Sequence, residues 1–171
     1  MLELGPLIRD IPDFPKKGIL FKDITTLLKD PRAFKQSIDQ LTDLVRVHQP
    51  DVVIGMESRG FIFAAPIAYQ LNAGFVPVRK LGKLPGEVIS TEYDLEYGTN
   101  TLELHSDAVA PGQRVLIVDD LLATGGTVSA TIELIERLQG QVVAVAFLVE
   151  LQALNGRDRL ENYNVVSLLK F

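Results

Sequence analysis

The sequence contains no cysteine, no apolar run near the length of a membrane-spanning helix, and fewer basic than acidic residues. The absence of cysteine excludes disulfide bonds and thiolate chemistry. A membrane-spanning helix needs about 18 or more consecutive apolar residues, and the chain has no such run although it is 47% hydrophobic. The formal net charge of -5 argues against a nucleic-acid-binding protein, which is normally basic. We therefore expect a soluble protein whose partners are neither membranes nor nucleic acids.

Two common nucleotide-binding motifs are also absent. Neither G-x-x-x-x-G-K-[ST] nor G-x-G-x-x-G occurs, which argues against an NTPase and against a dehydrogenase. The length of 171 residues suits one domain, 1–171, with a substantial core. Met1 opens directly into mixed polar sequence, so we expect no signal peptide, and this expectation fits a cytoplasmic protein.

A strand, an acidic pair, a glycine turn and a helix follow one another over 115–127, V-L-I-V-D-D-L-L-A-T-G-G-T. The apolar run 115–118 predicts a strand buried on both faces. Beyond the turn, apolar residues recur at helical spacing. The N-terminus of a helix offers free N–H groups and a positive dipole end to an anion. We predict a phosphate site in the turn, formed by Ala123, Thr124, Gly125, Gly126 and Thr127.

The acidic pair indicates what is attached to that phosphate. Asp119 and Asp120 would repel an anion unless they face hydrogen-bond donors, and ribose hydroxyls are suitable donors. The pattern therefore favours a sugar phosphate as the ligand. The alternative is a tight strand-to-helix turn with a capping Thr and solvated acids.

The same stretch resembles the phosphoribosyl-diphosphate binding motif of the type I phosphoribosyltransferases, and other segments of the chain are similar to that family. The alternating strand and helix patterns predict a doubly wound α/β domain with a central parallel sheet. The resemblance implies a small antiparallel hood over about 80–106. It also implies transfer of a 5-phosphoribosyl group from 5-phosphoribosyl 1-diphosphate to a purine base. Adenine is the expected base, AMP and diphosphate are the expected products, and a homodimer using Mg²⁺ held mainly through substrate and water is expected.

A second loop follows the predicted strand 52–55 and precedes a predicted helix, 61–71. Loops at the carboxyl ends of parallel strands meet at one edge of the sheet, so this loop should lie beside the first. It resembles the family's diphosphate loop, which implies diphosphate contacts for Glu57, Ser58 and Arg59 and an unusual, cis Glu57–Ser58 peptide. The alternative for Arg59 is that it caps an acidic surface.

The basic residues Arg79, Lys80 and Lys83 are predicted to form an anion clamp, although such a run is usually a solvated loop. The segments 88–93 and 100–105 predict an antiparallel two-stranded excursion outside the core. The L-E-Y-G element between them resembles the family's hood. The resemblance implies that Glu96 is the catalytic general acid or base and that Tyr97 lies beside it.

The segment 18–25, G-I-L-F-K-D-I-T, resembles the family segment that covers the base. Leu20, Phe21 and Lys22, with Arg59, are therefore the expected base-binding residues. The alternative is that Ile19, Leu20 and Phe21 simply belong to the core. Relatives commonly carry Arg at the position of Lys22.

Further signals for helix ends and strands complete the predicted fold. Asp30-Pro31 predicts a helix start, with the helix running to about residue 48. Gly140 is expected to end the helix that follows the phosphate turn. Strands are predicted over 142–149 and 165–169.

Two other functions stay open: a phosphoribosyltransferase for another purine base, and a regulatory protein that senses phosphoribosyl diphosphate.

Overall fold

The structure, a computed structural model, describes residues 2–94 and 99–171. The predicted catalytic Glu96 and its neighbour Tyr97 lie outside the described residues. The chain forms two compact units, 1–40 and 41–171, and the expectation of a single domain stays a prediction. No helix in the described ranges is both long enough and apolar enough to cross a membrane.

The first unit contains an antiparallel pair of strands, β1 (Arg9–Pro12) and β2 (Leu20–Asp23). The short helix α1 (Thr25–Leu28) follows, and then α2 (Pro31–Val45), which runs past residue 40 and is continued by a 3-10 turn over Arg46–His48. The predicted helix start is confirmed, because the Asp30 carboxylate accepts the backbone N–H groups of Arg32 and Ala33 at 2.9 and 3.1 Å.

The second unit is built on a seven-stranded sheet with the order β5-β6-β4-β3-β7-β8-β9. The strands from β4 to β9 in that order are parallel neighbours, and β6 and β5 add an antiparallel pair next to β4. The strands are β3 (Val52–Met56), β4 (Gly74–Lys80), β5 (Val88–Asp94), β6 (Thr99–His105), β7 (Arg114–Leu122), β8 (Gln141–Glu150) and β9 (Val165–Lys170). The helices are α3 (Gly60–Leu71) and α4 (Gly126–Arg137), with 3-10 helices over Gln152–Leu154 and Gly156–Leu160.

The two longer helices of this unit cover opposite faces of the sheet. Ile54 and its alternate neighbours in β3 join the core cluster that contains the apolar face of α4. Gly55 points the other way, and a methyl group there would lie 2.8 Å from Ala64 Cβ of α3. Successive side chains of a strand alternate between the faces, so α3 and α4 lie on different sides. The predicted doubly wound α/β fold with an antiparallel pair is confirmed.

The antiparallel pair belongs to the core more than the sequence indicated. Leu102 and Leu104 of β6 are only 2% and 0% exposed. β6 hydrogen-bonds to the end of β4, and its apolar face therefore continues the sheet surface beneath α4. The prediction of an excursion outside the core was wrong, because alternation looks the same in a strand with one buried face and in a free hairpin.

The end of α4 also differs from the prediction. The helix ends at Arg137, and the left-handed residue beyond it is Gln139, with φ 62°. Gly140 is required for space instead, because a methyl group there would lie 2.7 Å from Val109 Cγ1 and 2.8 Å from Ile135 Cγ2. The glycine that was read as a helix stop is a packing position.

Candidate active site

The two predicted loops meet at one edge of the sheet, as expected. β3 and β7 are parallel neighbours, with Gly55 opposite Val118, so the chain leaves both strands on the same side. Gly60 begins α3, and a methyl group there would lie 2.8 Å from Asp119 Oδ1 and 2.9 Å from the Val118 carbonyl oxygen. The absence of a side chain at residue 60 therefore allows the second loop to pack against the end of β7.

The glycine turn forms a small cavity at the start of α4. Its volume is about 60 Å³, and it is lined by Asp119 and by the run from Leu121 to Val128. One water-sized probe occupies roughly 10–15 Å³, so the cavity holds a group of about phosphate size. Gly125 has φ 81°, a conformation open to glycine at little cost. The first N–H groups of α4 have no partner within the helix and are available to an anion.

The two carboxylates lie between this turn and the second loop. Asp120 is only 5% exposed, and Arg59 Nε lies 2.8 Å from Asp120 Oδ2, although the N–H is not aimed to form a hydrogen bond. The Asp120 backbone N–H donates to Asp119 Oδ1 at 2.8 Å. Burial raises the pKa of the Asp119 carboxyl well above its usual range, and the Asp120 charge adds to the rise. Burial also raises the pKa of Asp120, against the lowering effect of Arg59.

The hydrogen bond to Asp119 and the charge of Arg59 do not fully offset burial, and Asp120 Oδ2 has no hydrogen-bond donor among the described residues. Ribose hydroxyls or a cation would supply what these carboxylates need. The ion pair of Arg59 with Asp120 partly agrees with the alternative that Arg59 neutralises acids, but those acids belong to the site and not to an outer surface. Arg59 is therefore positioned inside the candidate site.

The second loop has the predicted backbone. The Glu57–Ser58 peptide is cis, which confirms that prediction. The Glu57 carboxylate accepts the Lys80 backbone N–H at 2.9 Å and lies 3.3 Å from Arg79 Nε. The bond from the Lys80 N–H, together with Arg79, holds the pKa of the Glu57 carboxyl below its usual range. The Glu57 side chain thus anchors the start of the segment 79–83, which carries Arg79, Lys80 and Lys83 and is called the basic segment below.

A larger cavity of about 500 Å³ connects the predicted residues. Its lining includes the second loop, the acidic pair, part of the phosphate turn and Lys80, whereas Arg79 and Lys83 are not among the described lining residues. Arg79 donates instead to the Lys83 carbonyl oxygen at 3.1 Å. The described lining residues are Glu57, Ser58, Arg59, Lys80, Tyr93, Asn100, Asp119, Asp120, Leu121, Ala123 and Thr127.

Tyr93 and Asn100 were not predicted as lining residues. They face each other across the β5–β6 pair, on either side of the predicted L-E-Y-G element. The predicted antiparallel pairing of 88–93 with 100–105 could have identified them, because residues at the facing ends of two paired strands lie side by side. The strand β5, which carries Tyr93, is also tied to α4, since Thr91 Oγ1 donates to Glu133 at 2.9 Å and Arg137 Nη1 donates to the Ser90 carbonyl at 2.7 Å.

The predicted base-binding strip lies in the first unit. Ile19 and Leu20 are 39% and 49% exposed, so the alternative that these two residues are core is wrong. Phe21 packs edge-on against Phe14, with ring centroids 5.2 Å apart. Lys22 Nζ lies 2.7 Å from Asp10 Oδ1, so its side chain is engaged within the strand pair.

The end of this strip is fixed by Asp23. Its carboxylate accepts hydrogen bonds from Arg9 and from the Thr25 backbone N–H, the latter at 2.9 Å. These bonds, with that of Arg9 the strongest influence, lower the pKa of Asp23 to about 2.

A glycine turn at a helix start, an acidic pair and a second loop at one edge of a doubly wound sheet are typical of α/β domains that bind sugar phosphates. The phosphoribosyl transferase domain family matches residues 23–170. The chain therefore belongs to the phosphoribosyltransferases, and its full-length relatives place it in the adenine phosphoribosyltransferase family.

Those relatives are similar over nearly the whole chain. The adenine phosphoribosyltransferase of Alkaliphilus metalliredigens is 61% identical over 99% of this chain and 100% of its own. A crystal structure of the Thermoanaerobacter pseudethanolicus enzyme is 56% identical with a TM-score of 0.96, covering 98% of each chain. The Saccharomyces cerevisiae enzyme, solved with adenine and an imino-altritol bisphosphate, is 40% identical with a TM-score of 0.90, covering 96% of each chain.

Proposed function

We propose that this protein transfers the 5-phosphoribosyl group of 5-phosphoribosyl 1-diphosphate to adenine, giving AMP and diphosphate, as a glycosyltransferase of purine salvage. The main observation is the single cavity lined by Ser58, Asp119 and Thr127, which joins a diphosphate loop, a ribose site and a phosphate turn. Family membership supports the reaction, and the adenine in the yeast relative supports the base.

The sugar phosphate is held by the carboxyl edge of β7 and the start of α4. The turn of residues 123–127 binds the 5-phosphate through backbone N–H groups and the Thr124 and Thr127 hydroxyls. Asp119 and Asp120 accept hydrogen bonds from the ribose hydroxyls. These contacts fix the sugar so that its C1 faces the second loop.

Departure of diphosphate from C1 builds positive charge on the sugar and negative charge on the leaving group, so the enzyme's task is electrostatic. Ser58 and Arg59 meet the diphosphate from the second loop, and Lys80 does so from the wall of the cavity. Arg79 and Lys83 add positive charge nearby, while Glu57 contributes its backbone and holds Arg79 in place.

Adenine loses a ring proton as its nitrogen attacks, and a carboxyl bonded to the base can take or return it. Glu96 is the proposed group, with Tyr97 beside it in the hood. The strip Leu20, Phe21 and Lys22 covers the base, and Arg59 contributes from the second loop. A hood that closes over the site would exclude water from the charged sugar.

Mg²⁺ is the proposed cofactor. Within residues 2–94 and 99–171, no group of three or more candidate ligand side chains is present, so a closed protein cage is not available there. Mg²⁺ keeps several waters and binds substrate phosphates, so it is held mainly through the diphosphate of the substrate and through water, and Asp119 and Asp120 keep their role toward the ribose hydroxyls. When bound, Mg²⁺ neutralises charge on the diphosphate. A single-domain, cytoplasmic homodimer completes the proposal.

A competition assay tests the base. The protein is incubated with phosphoribosyl diphosphate, Mg²⁺ and equal amounts of adenine, hypoxanthine and guanine, and the nucleotide products are separated. We expect AMP as the main product. A main product other than AMP would assign another purine base. Binding of phosphoribosyl diphosphate without turnover of any base would instead favour a sensor.

A further inference from the structure

The 3-10 helix Gly156–Leu160 packs directly on the backbone of the phosphate turn. A methyl group on Gly156 would lie 2.1 Å from the Ala123 carbonyl oxygen and 3.0 Å from Leu122 Cδ1. The contact is reciprocal, because a methyl group on Gly125 would lie 2.6 Å from the Gly156 carbonyl oxygen. Two backbones therefore touch with no room for a side chain at either glycine.

The 3-10 helix is itself fastened to the sheet next to the turn. Arg157 forms a two-bond ion pair with Glu150, with Nε to Oε1 at 3.0 Å and Nη2 to Oε2 at 2.5 Å. Arg157 also donates to the Val165 carbonyl oxygen at 2.9 Å and to Ser167 Oγ at 3.3 Å. Glu150 is 6% exposed and ends β8 opposite Leu122. The pair thus holds the 3-10 helix at the end of β8, the neighbour of the strand that leads into the turn.

A glycine-rich turn has many accessible conformations of its own. Its N–H groups must nevertheless point at one place before the anion arrives, since preorganised donors bind and catalyse best. The first residues of α4 supply part of this order: Ser129 Oγ donates to the Gly125 carbonyl at 3.0 Å. The rest comes from outside, through Gly156.

We propose that Gly156 and the Glu150–Arg157 pair are positioning residues for the phosphate turn, which set its affinity for the 5-phosphate of the substrate. The inference deepens the proposed function and rests on it. It assigns a role to the connection between β8 and β9, and it requires no contact between these residues and the ligand.

Three Gly→Ala variants of the full chain test the contact. Gly156→Ala places a methyl against the turn. Gly140→Ala is also crowded, although less closely and mainly by side chains, at 2.7 Å from Val109 Cγ1 and 2.8 Å from Ile135 Cγ2. It lies beyond the other end of α4, a helix of 12 residues, or about 18 Å at 1.5 Å per residue. Gly5→Ala also begins a 3-10 helix, and its methyl meets nothing within 4 Å.

Each variant is titrated with ribose 5-phosphate by calorimetry, its KM is measured for both substrates, and its urea unfolding is followed. A displacement of about 1 Å at a site can cost about 100-fold. We expect Gly156→Ala to weaken ribose 5-phosphate binding and to raise the KM for phosphoribosyl diphosphate by about 10- to 100-fold, with little change in the KM for adenine. Gly140→Ala should lose stability without this selectivity, and Gly5→Ala should match the parent.

The ion pair gives an independent test if Gly156→Ala does not fold. Arg157→Met should show the same selective loss, and Arg157→Lys should recover part of it because it keeps the charge but not the two-bond geometry. Folded Gly156→Ala or Arg157→Met protein with parental affinity for ribose 5-phosphate would overturn the proposal, as would an equal loss in Gly140→Ala. Turnover of adenine by the parent separately judges the proposed function, because the ribose 5-phosphate titrations need no turnover.

Discussion

At the scale of single residues, the acidic pair Asp119 and Asp120 lowers the stability of the folded protein. Carboxyls whose pKa is raised by loss of solvent contact keep their protons in the folded protein to a higher pH than in the unfolded chain. Above the unfolded pKa, near 4, the unfolded state is therefore favoured progressively until the pH passes the folded pKa. Asp119 and Asp120 thus weaken the fold at neutral pH, and their proposed role in binding the sugar phosphate gives a reason for the presence of such a pair.

Asp119→Asn should therefore stabilise the protein at pH 7 while it lowers turnover. The amide oxygen can still accept the Asp120 N–H, but the buried charge and its repulsion of Asp120 are removed. Because the pKa of Asp119 is raised in the folded protein, we expect a gain in the free energy of unfolding at pH 7 that fades below about pH 4. Urea unfolding at both pH values, with turnover at pH 7, checks this. A loss of stability at pH 7 would contradict the assigned cause of the raised pKa.

At the scale of elements, the end of β4 depends on the loop after β3. Glu57 binds the Lys80 N–H and pairs with Arg79, so one side chain orders the first residues of the basic segment. Hydrogen bonds to charged groups contribute about 1.5–3 kcal/mol, and the one-third exposure of the Arg79 side chain reduces that contribution. The basic segment 79–83 is therefore held at its start by an interaction of moderate strength.

Glu57→Gln should release Arg79 while it keeps an acceptor for the Lys80 N–H. We expect the KM for phosphoribosyl diphosphate to rise about 3- to 10-fold, which corresponds to about 0.6–1.4 kcal/mol, with a smaller change for adenine. Steady-state kinetics with each substrate varied in turn measure the difference. The exposed Glu161 offers a control, Glu161→Gln, and the same KM change in both variants would remove Glu57 from this role.

At the scale of the whole molecule, each compact unit contains a carboxylate with a pKa near 2: Asp23 in the first and Glu150 in the second. A lowered folded pKa adds stability that is fully present above the unfolded pKa, near 4, and is lost as the pH falls toward about 2. We therefore expect the unfolding free energy of the parent to fall steeply between about pH 4 and pH 2.

Asp23→Asn should destabilise the protein at pH 7 and flatten its acid response. The amide loses the ion pair with Arg9, but it has no charge to titrate. Urea unfolding at several pH values should show the parent and variant curves converging as the pH approaches 2. Curves that stay parallel over that range would show that Asp23 does not supply the acid dependence.

The sequence predicted the features that repeat locally. Apolar runs located β7 and β8, and the strand–turn–helix order located the phosphate turn and the edge of the sheet. It could not place β6 in the core or identify Tyr93, Asn100 and Gly156, because these depend on contacts between distant segments. Gly140 shows the same limit: its neighbour Val109 is 31 positions away, and only the folded chain reveals why a side chain cannot be present.

The glycines at 55, 60 and 156 have a practical consequence for how this protein is dissected. An alanine scan asks what is lost when atoms are removed, and it passes over positions that have none to remove. Here the closest approaches around the site, from α3 to β7 and from the 3-10 helix to the phosphate turn, are possible only because glycine has no side chain. A mutational map made by truncation would leave these positions blank, and only substitutions that add volume would reveal them.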